Sequence, residues 1–270
     1  SGRTSQEFLT FVQNFTGGIV KDNWLGDFYS IGASVGQEYA NNVFHGSFVV
    51  SNTSSALFHT NTFSGDVNSN TFSGDNINYN TFSGYVNSNT FSGGDVSSNT
   101  FSGYVNSNTF SGNVNNNKFS GNVYSNTFGD VYNNTFSGYV YNNTFSGYVN
   151  NNKFSGGDVY RNTFSGYVNN NTFSGYIFYN TFSGYVNNNT FGGNVYINTF
   201  SGNISNNTFT YPGFLKYVTI ADALQFKTIG VVTYPFLFNT DYKKEILQGS
   251  NGSNYIRYFD GTADVNTLIP

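Results

Sequence analysis

The chain has 270 residues, 9% of them charged against 20% aromatic, and a net charge of −4. A disordered chain carries the reverse balance, and no basic run is present that could neutralise successive phosphates, so nucleic acid is not an expected partner. Cysteine is absent, which excludes disulfides and thiolate metal sites, and no apolar run approaches the roughly 20 residues of a membrane-spanning helix, so membrane insertion is not expected either. Methionine is absent too, so Ser1-Gly2 reads as a remnant of processing and the parent chain as longer.

The first 40 residues read as an N-terminal cap. Thr4-Ser5-Gln6-Glu7 has the form of a capping box, opening a short amphipathic helix through Phe8, Phe11, Val12 and Phe15 that stops at Gly17-Gly18. Degenerate repeats follow. Asn42-Val43-Phe44-His45-Gly46 fits one, and Asn52 to Phe58 fits the next, with Ser54 in the Phe place and Phe58 in the Val place.

From Asn61 to Phe209 the unit N-T-F-S-G-Y-V-N-N recurs, with 17 phenylalanines at intervals of eight to ten residues. Asn stands two places before each Phe, and a Val or Ile stands five places before each Phe after the first. The alternation F-S-G-Y-V is a strand signal that places Phe82, Gly84 and Val86 on one face. An odd Val-to-Phe spacing would send the two to opposite faces of a straight strand. A corner must therefore lie between them, and the Asn-rich triplet supplies residues that tolerate left-handed backbone angles. Every length change falls instead between Phe and Val, beside the glycine, as at Gly94, Gly157 and Asn76. The Gly side then behaves as a bulge or second corner.

Such units stack at about 4.8 Å per rung, aligning like residues into ladders. Phe63, Phe82 and Phe101 are expected in a ring column, Val86 and Val105 beside it, and Asn61, Asn80 and Asn99 in an amide ladder. The expected fold is an all-β solenoid (β-helix) of about seventeen to nineteen nine-residue rungs over residues 41–210. Two coil geometries fit. One chain can coil with two units per turn, or three chains can intertwine. After Tyr211-Pro212-Gly213 a C-terminal β module begins (211–270), with strands expected at Lys244–Gln248 and Asn254–Phe259; it would serve as cap, oligomerisation element or receptor-binding tip.

No residue set points to catalysis, a metal or a cofactor. His45 and His59 lack an obvious acidic partner. Asp66, Asp75, Asp95, Asp130 and Asp158 take a repeat position that other units fill with Tyr or Asn, which marks a solvated turn. Two outward features point to binding. Tyr85, Tyr104, Tyr139, Tyr148, Tyr167, Tyr176 and Tyr185 share one repeat position; Tyr124, Tyr132, Tyr141, Tyr160 and Tyr196 share another. Rows of exposed rings can stack on sugars, and Tyr139, Tyr148, Tyr167, Tyr176 and Tyr185 are the expected contact surface. The competing reading is that Tyr favours strands and covers its neighbours. Thr62-Phe63-Ser64 and its copies also form two hydroxyl columns of the kind that ice-binding solenoids present, interrupted at Lys118 and Lys153.

The short N-T-F repeats, followed by D-Y-K-K-E-I (Asp241 to Ile246) and Y-I-R-Y-F-D-G (Tyr255 to Gly261), resemble bacteriophage tail-fibre and tail-adhesin proteins, most clearly those of phages of Bacteroidetes hosts. The resemblance implies a non-enzymatic structural protein, often a homotrimer, in the virion tail or at an extracellular surface. It would present a tip to a host cell-surface glycan or protein receptor. A bacterial cell-surface adhesin of the same architecture is the neighbouring expectation. Coiled-coil heptads and an intramolecular chaperone, common companions of trimeric fibres, are not seen in the sequence.

Overall fold

The computed structural model describes residues 10–209, apart from 14–15, 27, 55–56, 74–75, 194, 197 and 202–203, and beyond them strands at 219–220, 228–229, 244–248, 254–259 and 264–268. Among the described residues there is no helix, and the fold is an all-β solenoid of about eight turns. The chain divides into two compact units, Ser1–Asp130 and Val131–Pro270.

One coil takes two repeats. It runs through a first Phe side (Thr62–Phe63), a first Val side (Val67–Asn68), a second Phe side (Thr71–Ser73) and a second Val side (Asn76–Asn78). Thr81–Phe82 then lies parallel to Thr62–Phe63, with Phe82 opposite both Phe63 and Phe101. Val86 likewise sits between Val67 and Val105. The partners belong to the same chain, so of the two geometries the sequence allows, the structure is the single-chain coil.

Two different corners turn the chain. Among the described residues, the one three places before each repeat Phe has a positive φ, as at Ser69, Ser88 and Ser107 (59°, 57° and 55°). That reversal lets Val67 and Phe72 both point inward despite their odd spacing, and both are 1% exposed. The next residue is the Asn, also buried. The backbone N–H of Asn80 and its Nδ2 both donate to Asn99 Oδ1 (2.8 and 3.1 Å), while Nδ2 also donates to the carbonyl oxygens of Phe58 and Asn78. Each such side chain thus accepts from a buried N–H and donates to a carbonyl of the preceding coil, as Asn80 does with the Asn61 N–H and the Phe58 carbonyl, and donates as well to the Asn of the following coil. A carboxylate could accept but not donate, which explains why no unit substitutes Asp here.

The second corner follows Phe and needs glycine for a different reason. A Cβ on Gly84 would lie 2.4 Å from the Gly65 carbonyl oxygen, and one on Gly103 would lie 2.0 Å from that of Gly84. Glycine is required by the axial approach of neighbouring coils, since no positive φ occurs at these positions. Gly84 is half-buried at this corner, whereas the alternation alone placed it inside with Phe82 and Val86.

The interior is made of ring columns. In the first unit Phe63, Phe82, Phe101 and Phe119 stack at 4.7–4.8 Å, and Phe101 meets Phe110 of the facing column edge-on at 88°. Offset stacking along the axis with edge-to-face contact across it suits the aromatic quadrupole. The Asn ladders of this unit run from Asn23 to Asn117 and from Asn70 to Asn126. The second unit repeats the plan. Its ring columns include Phe136, Phe154, Phe173 and Phe191, and its ladders run from Asn134 to Asn207 and from Asn143 to Asn198.

The N-terminal region departs from expectation. Where the helix was expected to run through Phe11, Val12 and Phe15, the structure has strands at Thr10–Gln13 and Thr16–Lys21, paired in parallel with Phe28–Ile31 and Val35–Ala40. Residues 4–9 of that expected helix, and 14–15 with Phe15, lie outside the described residues. The physical reason is the density of β-branched residues, Thr10, Val12, Thr16, Ile19 and Val20, which fit a pleated surface better than a short helix. In the degenerate repeat the register also shifts by one, with Thr53 opposite Phe72 and Ser54 opposite Ser73; Phe58 does take the Val place, opposite Ile77. Beyond Phe209 the parallel pairing goes on, with Thr219–Ile220 beside Thr199–Phe200 and Thr228–Ile229 beside Thr208–Phe209. Lys244–Gln248, Asn254–Phe259 and Asp264–Leu268 form an antiparallel three-stranded sheet.

Candidate binding surface

With interior positions filled by Phe, Val and paired Asn, chemical variety is confined to the outside. The tyrosines that share a single repeat position in the sequence occupy two different corners of the coil. In the first unit Tyr85 and Tyr104 stack at 5.3 Å. Asp66 precedes them in the column, its Oδ1 accepting from the Tyr85 N–H at 2.9 Å. They form one wall of a groove of about 620 Å³ whose other wall is Asn68, Asn87, Asn106 and Tyr124. Wall residues two apart in sequence, such as Tyr85 and Asn87, flank an inward Val and so face outward together.

The second unit holds a groove of the same make, of about 430 Å³, between Tyr148, Tyr167, Tyr185 and Asn150, Asn169, Asn187. The tyrosines stack at 5.1 and 5.0 Å, and the amides bond one another at 3.3 and 3.4 Å. Of the five tyrosines expected to share a surface, the structure thus joins Tyr148, Tyr167 and Tyr185. Tyr139 and Tyr176 stand on the other corner with Asp158 between them, its Oδ1 accepting from the Tyr176 N–H at 3.2 Å. Phe63, Phe82 and Phe101, Asn61, Asn80 and Asn99, and Val86 and Val105 each lie in one column.

Stacking changes what these tyrosines can do. Rings piled along the axis cover each other's faces, so Tyr167 offers a ligand its edge and hydroxyl. The grooves are therefore rows of phenol hydroxyls facing rows of primary amides. Asn106 Oδ1 is the buried side-chain oxygen without a partner among the described residues, at the point where the amide column Asn87–Asn106 gives way to Tyr124.

A second cluster in the second unit went unrecognised in the sequence because its members occupy different repeat positions. Tyr141 and Tyr160 stack at 4.8 Å, and Tyr160 and Phe178 at 4.4 Å. Tyr179 meets Tyr160 and Phe178 edge-on at 5.8 Å. The Arg161 guanidinium lies 4.9 Å from the Tyr160 ring centre, and its Nη1 donates to Tyr141 Oη at 3.4 Å. That hydrogen bond and the neighbouring phenols raise the Arg161 pKa above its usual value.

The hydroxyl columns separate into two faces. Lys118 and Lys153 interrupt only the first Phe side, opposite Thr100 and Thr172. The second Phe side keeps Thr at every level: Thr71, Thr90, Thr109 and Thr127 in one unit, Thr144, Thr163, Thr181 and Thr199 in the other.

The acidic and histidine residues resolve as local partners. His59 Nε2 lies 2.9 Å from Glu38 Oε1, a pairing made by strands that are adjacent in space and 21 residues apart in sequence. His45 lies against Trp24 with the two rings tilted, their centres 4.5 Å apart. Asp95 accepts from Asn113 Nδ2 at 2.9 Å; Asp75 lies outside the described residues. Among the described residues no three His, Asp or Glu side chains converge as metal ligands would.

No protein-family model and no curated protein sequence matches this chain. Among solved structures it is similar to ORF18 of Geobacillus virus E2, at 9% identity and a TM-score of 0.23, over 97% of this chain and 68% of that one.

Proposed function

We propose that this chain is a non-enzymatic segment of an extracellular fibre, in a phage virion tail, whose outer columns contact a receptor on the host surface. The observation that carries this reading is the division between inside and outside. Interior positions are held to Phe, Val and Asn by stacking and hydrogen bonding, whereas Tyr, Asn and Asp exchange freely along the groove walls. A scaffold that keeps its fold while its surface varies suits recognition. Rows of hydroxyls and amides suit a glycan, whose hydroxyls need both donors and acceptors. The ends of such a solenoid need covering. The segment before the array would close one end, and the antiparallel sheet at 244–268 would close the other or form the tip. Association into a homotrimer, as in the fibres this chain resembles, is part of the reading.

Glycan-array and host-cell binding measurements test it. Binding that weakens about tenfold on Tyr167→Ala or Asn169→Ala is expected. A chain that binds neither host cells nor glycans, and does not block infection, contradicts it. Sedimentation tests the trimer, and the genes flanking the parent gene separate a phage fibre from a bacterial adhesin.

One observation favours a second reading, ice binding. The second Phe side carries Thr at every level with no lysine between them, together with Ser two places on except at Gly129. Thermal hysteresis lost on Thr109→Lys would support that reading, and its absence in the intact chain would remove it.

A further inference from the structure

Among the described residues of the second unit, the corner residues with positive φ are Asn133, Asn142, Asn151, Asn170, Asn188 and Asn206, together with two that are not Asn, Arg161 and Tyr179 (54° and 56°). Asn is among the few side chains that enter this region readily; bulky ones are disfavoured there. Two adjacent coils therefore accept strain at the same corner, and their side chains meet over the same aromatic column. The guanidinium lies against Tyr160 and within 6.0 Å of the Tyr179 ring. It is hydrogen-bonded to Tyr141 Oη, and among the described residues it has no carboxylate partner. Strain held at a surface corner that gathers a cation and four rings is the mark of a selected site.

The chemistry of the cluster narrows its ligand. A guanidinium fixed on an aromatic platform keeps donors free in a fork that fits a carboxylate. Tyr179, 48% exposed, offers an aromatic surface beside it. One cation on a chain of net charge −4 does not suit a polyphosphate. A peptide would need a free strand edge or aliphatic pockets. The coils pair with each other along the axis, and the exposed large apolar side chains described in this unit are all tyrosines. Asn142 takes the same corner one coil before Arg161.

We propose that Arg161, Tyr160 and Tyr179, supported by Tyr141 and Phe178, form a binding site for a carboxylate-bearing saccharide, in which Arg161 takes the carboxylate and Tyr179 the sugar ring. The site is separate from the two tyrosine–asparagine grooves, and it rests on the reading of the outer surface as a glycan-binding one. The test is titration of the full chain with sialyllactose and with an oligogalacturonate, against lactose and the methyl-esterified oligogalacturonate. The acidic sugars should bind at least tenfold more tightly than their neutral counterparts. Arg161→Asn and Tyr179→Asn install the residue that other corners use, so the melting temperature should hold or rise while acidic-sugar affinity falls at least tenfold. Arg161→Lys, which keeps the charge without the fork, should lose part of the affinity.

Equal affinity for acidic and neutral sugars, or acidic-sugar binding untouched by Arg161→Asn, overturns this site while leaving the glycan-binding reading intact. Equal or tighter binding of a glutamate-rich peptide overturns the saccharide assignment. Failure to bind any of the four sugars, with host-cell binding retained, overturns the site and directs the wider reading to a protein receptor. Failure to bind either sugars or cells overturns both.

Discussion

The two corners of each repeat do the same geometric work by opposite means. At the Asn corner a residue of positive φ reverses the chain and a buried amide joins three coils, as Asn108 does with Asn89, Asn126 and the Val86 carbonyl. Such a corner admits one length and one residue. At the Gly corner no side chain is buried; the backbones of successive coils approach so closely that a Cβ would collide. That corner constrains size but not length, and Gly94 and Gly157 show it taking an extra residue without loss of register on either side. Side chains that share buried hydrogen bonds across levels fix the count of residues, while contact between backbones fixes only their bulk.

The largest effect that should separate the corners is insertion. One residue added between Ser107 and Asn108 turns Phe110 outward and breaks the ladder, and should destabilise the flanking coils by more than about 5 kcal/mol in urea denaturation. Next comes Asn108→Asp. It leaves the Val86 carbonyl without its donor and buries a charge, at a cost of about 3–5 kcal/mol at pH 7. Burial raises the folded-state pKa of that carboxyl above its unfolded value, so the loss should be smallest below about pH 4 and grow as pH rises through the folded pKa. Unfolding curves at both pH values check the sign.

At the Gly corner the effects are smaller. Gly103→Ala sets a Cβ 2.0 Å from a backbone oxygen and should cost about 3 kcal/mol, whereas Gly129→Ala, at 3.1 Å, should cost under about 1 kcal/mol. A glycine inserted after Gly103, copying Gly93-Gly94, should change stability by about 1 kcal/mol or less. Equal penalties for insertion at the two corners would refute the distinction between them. The smallest effect is Ser107→Asn, which should stabilise by a few tenths of a kcal/mol because Asn tolerates the positive φ better than Ser.

The Asn corner was legible in the sequence because its signal is an invariant spacing: an odd Val-to-Phe interval has one solution if both side chains point inward. What the sequence left open was set by contacts between coils. The number of repeats per turn depends on whether Phe63 meets Phe72 or Phe82, and both are Phe. The partner of His59 is Glu38, one coil away, so neither residue signals the other. The tyrosine columns read as exposed aromatic faces, but stacking through Tyr148, Tyr167 and Tyr185 turns their edges outward. Lys118 and Lys153 read as breaks in one Thr column because nothing local shows that alternate repeats lie on different faces. Arg161 was hidden by its position, a corner that mostly holds Ser or Asn and draws no attention.

The central claim is the coil itself: one chain, two repeats per turn. Because the chain has no cysteine, introduced pairs report on it directly. Thr90 and Thr109 are register partners on adjacent coils, whereas Thr90 and Thr100 pair into different sheets. Adjacent coils about 4.8 Å apart lie within disulfide reach. Mild oxidation of the Thr90→Cys, Thr109→Cys double variant should give an intrachain disulfide with no cross-linked multimer, and the Thr90→Cys, Thr100→Cys variant should give none. Disulfide-linked multimers from the first pair, or an intrachain bond from the second, would contradict the coil described.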